Sequence, residues 1–211
     1  MTEDIWRAVA RERTELAEML TALPESAWQR PSLCAGWRVA DVVAHVVLSS
    51  SATLGALLVN LVRARGDINR LTHDTAVRLA DRSSPQDLLA ELRGAIDSRF
   101  TPVGTTPADR LMDLLVHGQD IAVPLDLHRE MPVAAARFSL DRVWTMGWPF
   151  HARRKLSGYR LTATDTGWHA GAGPEVAGPV SALLLLATGR EAALDRLTGP
   201  GVAGLAARLR A

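Results

Sequence analysis

Cysteine is all but missing. Cys34 stands alone in the chain, so no disulfide can close within it and no thiolate cluster can knot a structural zinc. Charge of one sign is also lacking. The balance of 24 − 23 = +1 gives no basic footprint for nucleic acid or an anionic membrane. Lysine occurs once, at Lys155, and arginine supplies the remaining positive charge. No apolar run reaches the roughly 18 residues that a membrane-spanning helix requires; the leucines of 183–186 are soon followed by Gly189-Arg190. The opening Met1-Thr2-Glu3-Asp4 is acidic where a secretory leader would be basic. A Walker-type glycine loop, a G-x-S-x-G elbow and a dinucleotide fingerprint are absent too. These absences predict a globular cytoplasmic protein that engages neither nucleic acid nor membrane. They leave monomer and homodimer both open.

What is present is core-forming material. Hydrophobic residues make up 47% and charged ones 22%, enough for one large domain or a main domain with a small one. Residues 3–23 read as an amphipathic helix, with Ile5, Trp6, Val9, Leu16, Met19 and Leu20 on one face. A sharp turn at Gly36-Trp37 leads into a second helix, Val39 to Val47, which Leu54 to Val62 continue beyond a loosening at Ser49-Ser50-Ser51. Asp41 falls near its third position, where a carboxylate reaches back to free backbone N–H groups. Helical pieces follow over 67–81, 85–100, 107–123 and 132–148, with Ser84-Pro85 a start signal. Then the texture changes. Residues 159–165 alternate as a strand, Thr166-Gly167 turns, and Trp168-His169-Ala170 begins a second strand. Residues 171–178 are glycine-rich, 180–188 helical, 194–197 a strand candidate and 202–209 a closing helix. The expected division is a helical bundle over 1–150 and a small α+β unit over 151–211.

One stretch carries chemistry. In Arg110-Leu111-Met112-Asp113-Leu114-Leu115-Val116-His117-Gly118-Gln119-Asp120-Ile121, helical rotation puts Asp113 and His117 on one face, a turn apart, inside an apolar stripe. His45 sits among valines on the other strongly apolar helix. Each alone has a commoner explanation, a hydrogen-bonded helix pair or a satisfied core histidine. Together they are two imidazoles and a carboxylate, a set that holds a divalent ion and leaves positions free. Asp120, one turn beyond His117, is either a salt-bridge partner or cap, or an acceptor orienting a ligand imidazole. Cys34 reads as a small buried hydrophobe or a reactive thiol, and Trp37 as packing. His73, His128, His151 and His169 share no ligand-like spacing. Arg154, in the run Arg153-Arg154-Lys155, and Arg190, after Gly189, each read as a solvated cation or a dock for an anionic ligand.

The run Cys34-Ala35-Gly36-Trp37-Arg38-Val39-Ala40-Asp41-Val42-Val43-Ala44-His45 resembles the C-x-G-W-[ST]-V-x-D-[VL]-[LV]-A-H pattern of mycothiol-dependent maleylpyruvate isomerase-like proteins. Asp113-Leu114-Leu115-Val116-His117-Gly118-Gln119-Asp120-Ile121 is similar to their second signature. The tail, through Thr164-Asp165-Thr166-Gly167-Trp168 and Gly178-Pro179, is similar to their sterol-carrier-like domain. The resemblance implies a mainly α fold, a DinB-like up-down four-helix bundle with a small α+β domain. It implies His45, Asp113 and His117 as ligands of a divalent metal, with Zn²⁺ expected, and mycothiol as cofactor. Its partners would be a small-molecule thiol and an electrophilic substrate, joined in an isomerase or S-transferase reaction. Arg154 and Arg190 are the expected cofactor-binding cations. Two departures stand out. Asp113 replaces a glutamate one methylene longer, and Arg38 replaces a serine or threonine whose N-cap oxygen is worth about 1 kcal/mol. The shorter acid motivates the rival expectation of a non-catalytic metal- or ligand-binding bundle.

Overall fold

The computed structural model describes residues 2–51, 67–102 and 104–210. Helices α1 (Thr2–Thr21), α2 (Val39–Ser51), α3 (Ile68–Arg82), α4 (Pro85–Gly94), α5 (Pro107–Ala122), α6 (Val133–Thr145), α7 (Ala152–Lys155), α8 (Val180–Ala187) and α9 (Val202–Leu209) are joined by three 3-10 turns and three short strands. The predicted continuation Leu54 to Val62 lies outside the described residues. By packing, the chain divides into 1–129 and 130–211, earlier than the change of sequence texture near residue 150. Helix α6, read from sequence with the bundle, lies in the second unit, where it packs along α8.

The first unit is a helical bundle. Helix α1 packs on α5 and α4, and α2 packs on α3, α4 and α5. Its core is what α2 and α5 turn inward: Val39, Val42, Val43, Ala44, Val46 and Val47 from one, Leu111, Leu114, Leu115, Val116 and Ile121 from the other. Each large aliphatic among them contributes about 1.5–3 kcal/mol of burial. Local signals fix the helix ends. Asp67 caps α3 by accepting from the Asn69 and Arg70 N–H groups, and Ser84 with Asp87 forms a capping box on α4. At α2, where the serine or threonine acceptor is missing, only the carboxylate half of a capping box remains. Asp41 Oδ2 accepts from the Arg38 N–H at 2.7 Å and from Arg38 Nε at 3.0 Å, so the arginine folds back onto the capping carboxylate. Helix α2 runs through Ser49 and Ser50, whose hydroxyls bond back to the Val46 carbonyl. Helix α4 is shorter than periodicity predicts. The buried Arg13 guanidinium takes the carbonyls of Ala95, Ile96 and Ser98, which ends the helical ladder after Gly94.

The second unit carries a three-stranded sheet ordered β2 (His169–Gly171), β1 (Arg160–Ala163), β3 (Glu175–Gly178). β1 runs antiparallel to β2, with Leu161 opposite Ala170, and parallel to β3, with Leu161 opposite Val176. Strand β3 was hidden in the glycine-rich stretch, since Val176 is the single large apolar residue marking its inward face. The strand expected at 194–197 is instead mostly a 3-10 turn, Glu191–Arg196, and the sheet contact falls on Thr198, which bridges Ala177. Trp168 packs edge-on against Trp144 and donates its indole N–H to Asp141 at 2.7 Å. No helix among the described residues is long and apolar enough to cross a membrane.

Candidate metal centre

The loop before α2 is built to deliver a cysteine and a tryptophan. Gly36 at φ 78° supplies the left-handed residue of a tight turn closed by the Trp37 N–H on the Cys34 carbonyl. Pro31 and Arg38 bridge across its base. The Leu33 N–H donates to the Asp120 carbonyl at 3.0 Å, which ties the loop to the end of α5.

Against this loop, α2 and α5 bring His45, Asp113 and His117 together, one ligand atom of each lying within 4.8 Å of the others. Asp113 Oδ1 is 3.6 Å from His45 Nε2 and 3.4 Å from His117 Nε2. The imidazoles meet edge to face at 4.8 Å. Their side chains are 19% and 12% exposed and that of Asp113 17%, so the cluster is mostly buried but keeps some access to solvent. Trp37 covers it, its ring 5.4 Å from His45 and 6.4 Å from His117, with exposed His73 on the tryptophan at 6.2 Å.

The spacing has meaning. Bonds of about 2.0–2.2 Å in tetrahedral array put neighbouring ligand atoms roughly 3.4 Å apart. Asp113 Oδ1 stands at that distance from both Nε2 atoms, longer than a good N–H···O hydrogen bond. The shorter acid stands at the span that a shared divalent ion would ask of it.

The other nitrogen of His117 is engaged differently. Nδ1 lies 2.8 Å from Asp120 Oδ2, a hydrogen-bond length, and Asp120 is fully buried. An ionised carboxylate only accepts, so the network places hydrogen on Nδ1 and turns Nε2 toward His45 and Asp113. A carboxylate behind a ligand imidazole is the arrangement that fixes ring orientation and raises basicity. The same Oδ2 accepts from the Cys34 thiol at 3.0 Å.

Electrostatics follow from this crowding. Burial pushes the His45 imidazole below its ordinary range, with Asp113 opposing. Burial also works against charge on His117. There Asp113 outweighs it, helped by Asp120 and Cys34, and holds the imidazole well above its ordinary range. Burial alone would raise Asp113, but Arg110, His117 and His45 hold its carboxyl well below the usual carboxylate range. Arg110, almost buried, reaches Asp113 Oδ2 at 3.4 Å and the Ser49 carbonyl at 3.4 Å. Sequence reading passed over this arginine, though its i, i+3 spacing to Asp113 was the available signal.

Arg154 and Arg190 lie in the second unit. Arg154 is exposed on α7, and Arg190 follows α8 with a nitrogen donating to the Thr188 carbonyl at 2.7 Å.

Residues 9–101 match the family model of the mycothiol maleylpyruvate isomerase N-terminal domain. Over that stretch, a little under half of its length, the chain is similar to that domain. Two solved structures, of mycothiol-dependent maleylpyruvate isomerase and of its mutant with one histidine changed to alanine, superpose with a TM-score of 0.65 each at 17% identity. Each alignment covers 95% of this chain and 93% of the other. At that identity the likeness establishes a shared fold, a helical bundle followed by a small α+β unit. No curated protein matches the chain.

Proposed function

We propose that the first unit is a divalent-metal centre of the mycothiol maleylpyruvate isomerase type, holding its ion through His45 Nε2, His117 Nε2 and the Asp113 carboxylate, with Zn²⁺ the fitting ion. The observation that carries this reading is the spacing of 3.4 and 3.6 Å from Asp113 Oδ1 to the two Nε2 atoms. Two nitrogens and one oxygen suit zinc and related divalent ions and leave coordination positions open. When bound there, such an ion supplies the means to keep a thiol as thiolate at neutral pH.

The chain's own residues do the rest. Asp120 keeps the proton on His117 Nδ1, so the lone pair at Nε2 faces the ion. Arg110 offsets part of the negative charge of Asp113 and holds that carboxylate on the far side from the imidazoles. The Trp37 indole shields one flank from water. The thiol partner is a low-molecular-weight cofactor of the mycothiol class, and the reaction is isomerisation of an activated double bond or transfer of the thiol to an electrophile. In this reading the nucleophile is the cofactor's thiol, while the Cys34 thiol donates to Asp120.

The test compares zinc-loaded and metal-free protein with mycothiol and a panel of electrophiles, reading turnover and thiol binding separately. Turnover that needs both metal and thiol is expected. Metal binding with neither turnover nor thiol binding would leave a non-catalytic metal-binding bundle and refute the enzymatic reading.

A further inference from the structure

Cys34 lies outside the three-ligand set, yet the fold spends several interactions on placing it. Its N–H donates to Ser32 Oγ at 3.1 Å, its carbonyl closes the Gly36 turn, and the neighbouring Leu33 N–H is bonded to the Asp120 backbone. The result is a sulfur 3.0 Å from Asp120 Oδ2 and 3.8 Å from His117 Nδ1. Cys34, His117 and Asp120 are also close enough to be considered a ligand set of their own. The distances argue against that. Asp120 Oδ2 and His117 Nδ1 are 2.8 Å apart, the length of a hydrogen bond and too short for the roughly 3.4 Å edge of a tetrahedral site.

We propose that Cys34 is a positioning residue for the metal centre: its thiol donates to Asp120 Oδ2 and so fixes the carboxylate that orients His117. This rests on reading His45, Asp113 and His117 as metal ligands. Both donors converge on one oxygen, the thiol from the loop and Nδ1–H from α5. With the thiol in place, Oδ2 is held from two directions and cannot rotate away from the imidazole. A weak donor suits the position, because it pins the oxygen while leaving most of its acceptor strength for His117. The role also explains why a cysteine needs such careful placement in a chain that makes no disulfide.

The experiment measures zinc affinity by chelator competition on the full chain for wild type, Cys34→Ala and Cys34→Ser. Beside it, imidazole ¹⁵N shifts in the metal-free proteins, taken at a pH alkaline enough to neutralise the ring, report the tautomer of His117. Removing the donor should weaken zinc binding about fivefold, below the roughly 10–100-fold seen when a direct partner of a ligand is lost. It should also mix the His117 tautomers. Serine keeps a donor and should return affinity to within about twofold of wild type, with the wild-type tautomer. Unchanged affinity and tautomer in Cys34→Ala would overturn the proposal, and so would equal losses in both variants, which would mark packing alone. A wild-type protein that binds no zinc would instead remove the metal reading itself, and this inference with it.

Discussion

Two polar clusters are buried in the same bundle, both built on α5, and they are spaced differently. In one, Arg129 donates to Glu12 Oε2 at 2.8 Å while its carbonyl accepts from Gln119 at 2.7 Å. Gly118 makes room for it, since a Cβ there would stand 2.5 Å from Arg129 Nε. In the other, Asp113 faces two imidazoles at 3.4 and 3.6 Å. The first cluster has contracted to hydrogen-bond length and acts as a staple between α1 and the end of α5. The second stands wider, at a distance that an ion would bridge. Burial and charge are common to both. On our proposal, spacing is what separates the structural pair from the metal site.

The largest effects should come from breaking each cluster at its centre and should appear in different measurements. His117→Ala should reduce zinc affinity by more than the roughly 10–100-fold that outer partners cost, with a metal-free stability loss smaller than that of Arg129→Ala and fading as pH rises. Chelator competition and calorimetry read the two quantities. Arg129→Ala should do the reverse. It leaves Glu12 buried and unpaired, costing about 3–5 kcal/mol in denaturant titration, while the protein that remains folded binds zinc normally. If both variants lowered affinity and stability alike, the two clusters would be one network and the contrast would fail.

Smaller effects sharpen the picture. Asp120→Asn should weaken zinc binding by about 10–100-fold, because an amide can present its nitrogen to His117 Nδ1 and free the wrong tautomer. The raised value of His117 sets the pH dependence. Below that value zinc must displace a proton, so apparent affinity should rise about tenfold per pH unit and then level off above it. Stability of the metal-free protein has the opposite sign. The imidazolium's contribution is complete below the unfolded value near 6.5 and is lost as pH rises through the higher folded value. Metal-free protein should therefore melt lower as the solution turns alkaline, and calorimetry across pH checks it. The smallest change is expected from Asp113→Glu. The existing carboxylate already stands at that span, and one more methylene should alter affinity by less than about tenfold in the same competition assay.

Much of this was legible in the chain. Helical periodicity gave α1, α2 and α5, and the two imidazoles with Asp113 stood out because each interrupts an otherwise apolar face. Asp120 was legible as a candidate orienting acceptor from its place one turn past His117. Other features depended on contacts between distant segments. Arg13 ends α4 through carbonyls more than eighty positions away, which no local window registers. Strand β3 exists because β1 pairs with it, since Glu175-Val176-Ala177-Gly178 has little strand propensity of its own. The bridge at Thr198, rather than a strand over 194–197, follows from the same sheet edge. Cys34 read as a buried hydrophobe or a reactive thiol because its use depends on α5 arriving beside the Gly36 turn.

The account is tested most directly by a crystal of zinc-loaded protein measured at the zinc absorption edge. One anomalous peak should lie about 2.0–2.2 Å from His45 Nε2, His117 Nε2 and an Asp113 oxygen, with His117 Nδ1 still bonded to Asp120. A peak bound instead through Cys34, Asp120 and His117 Nδ1, or no peak between α2 and α5, would contradict it.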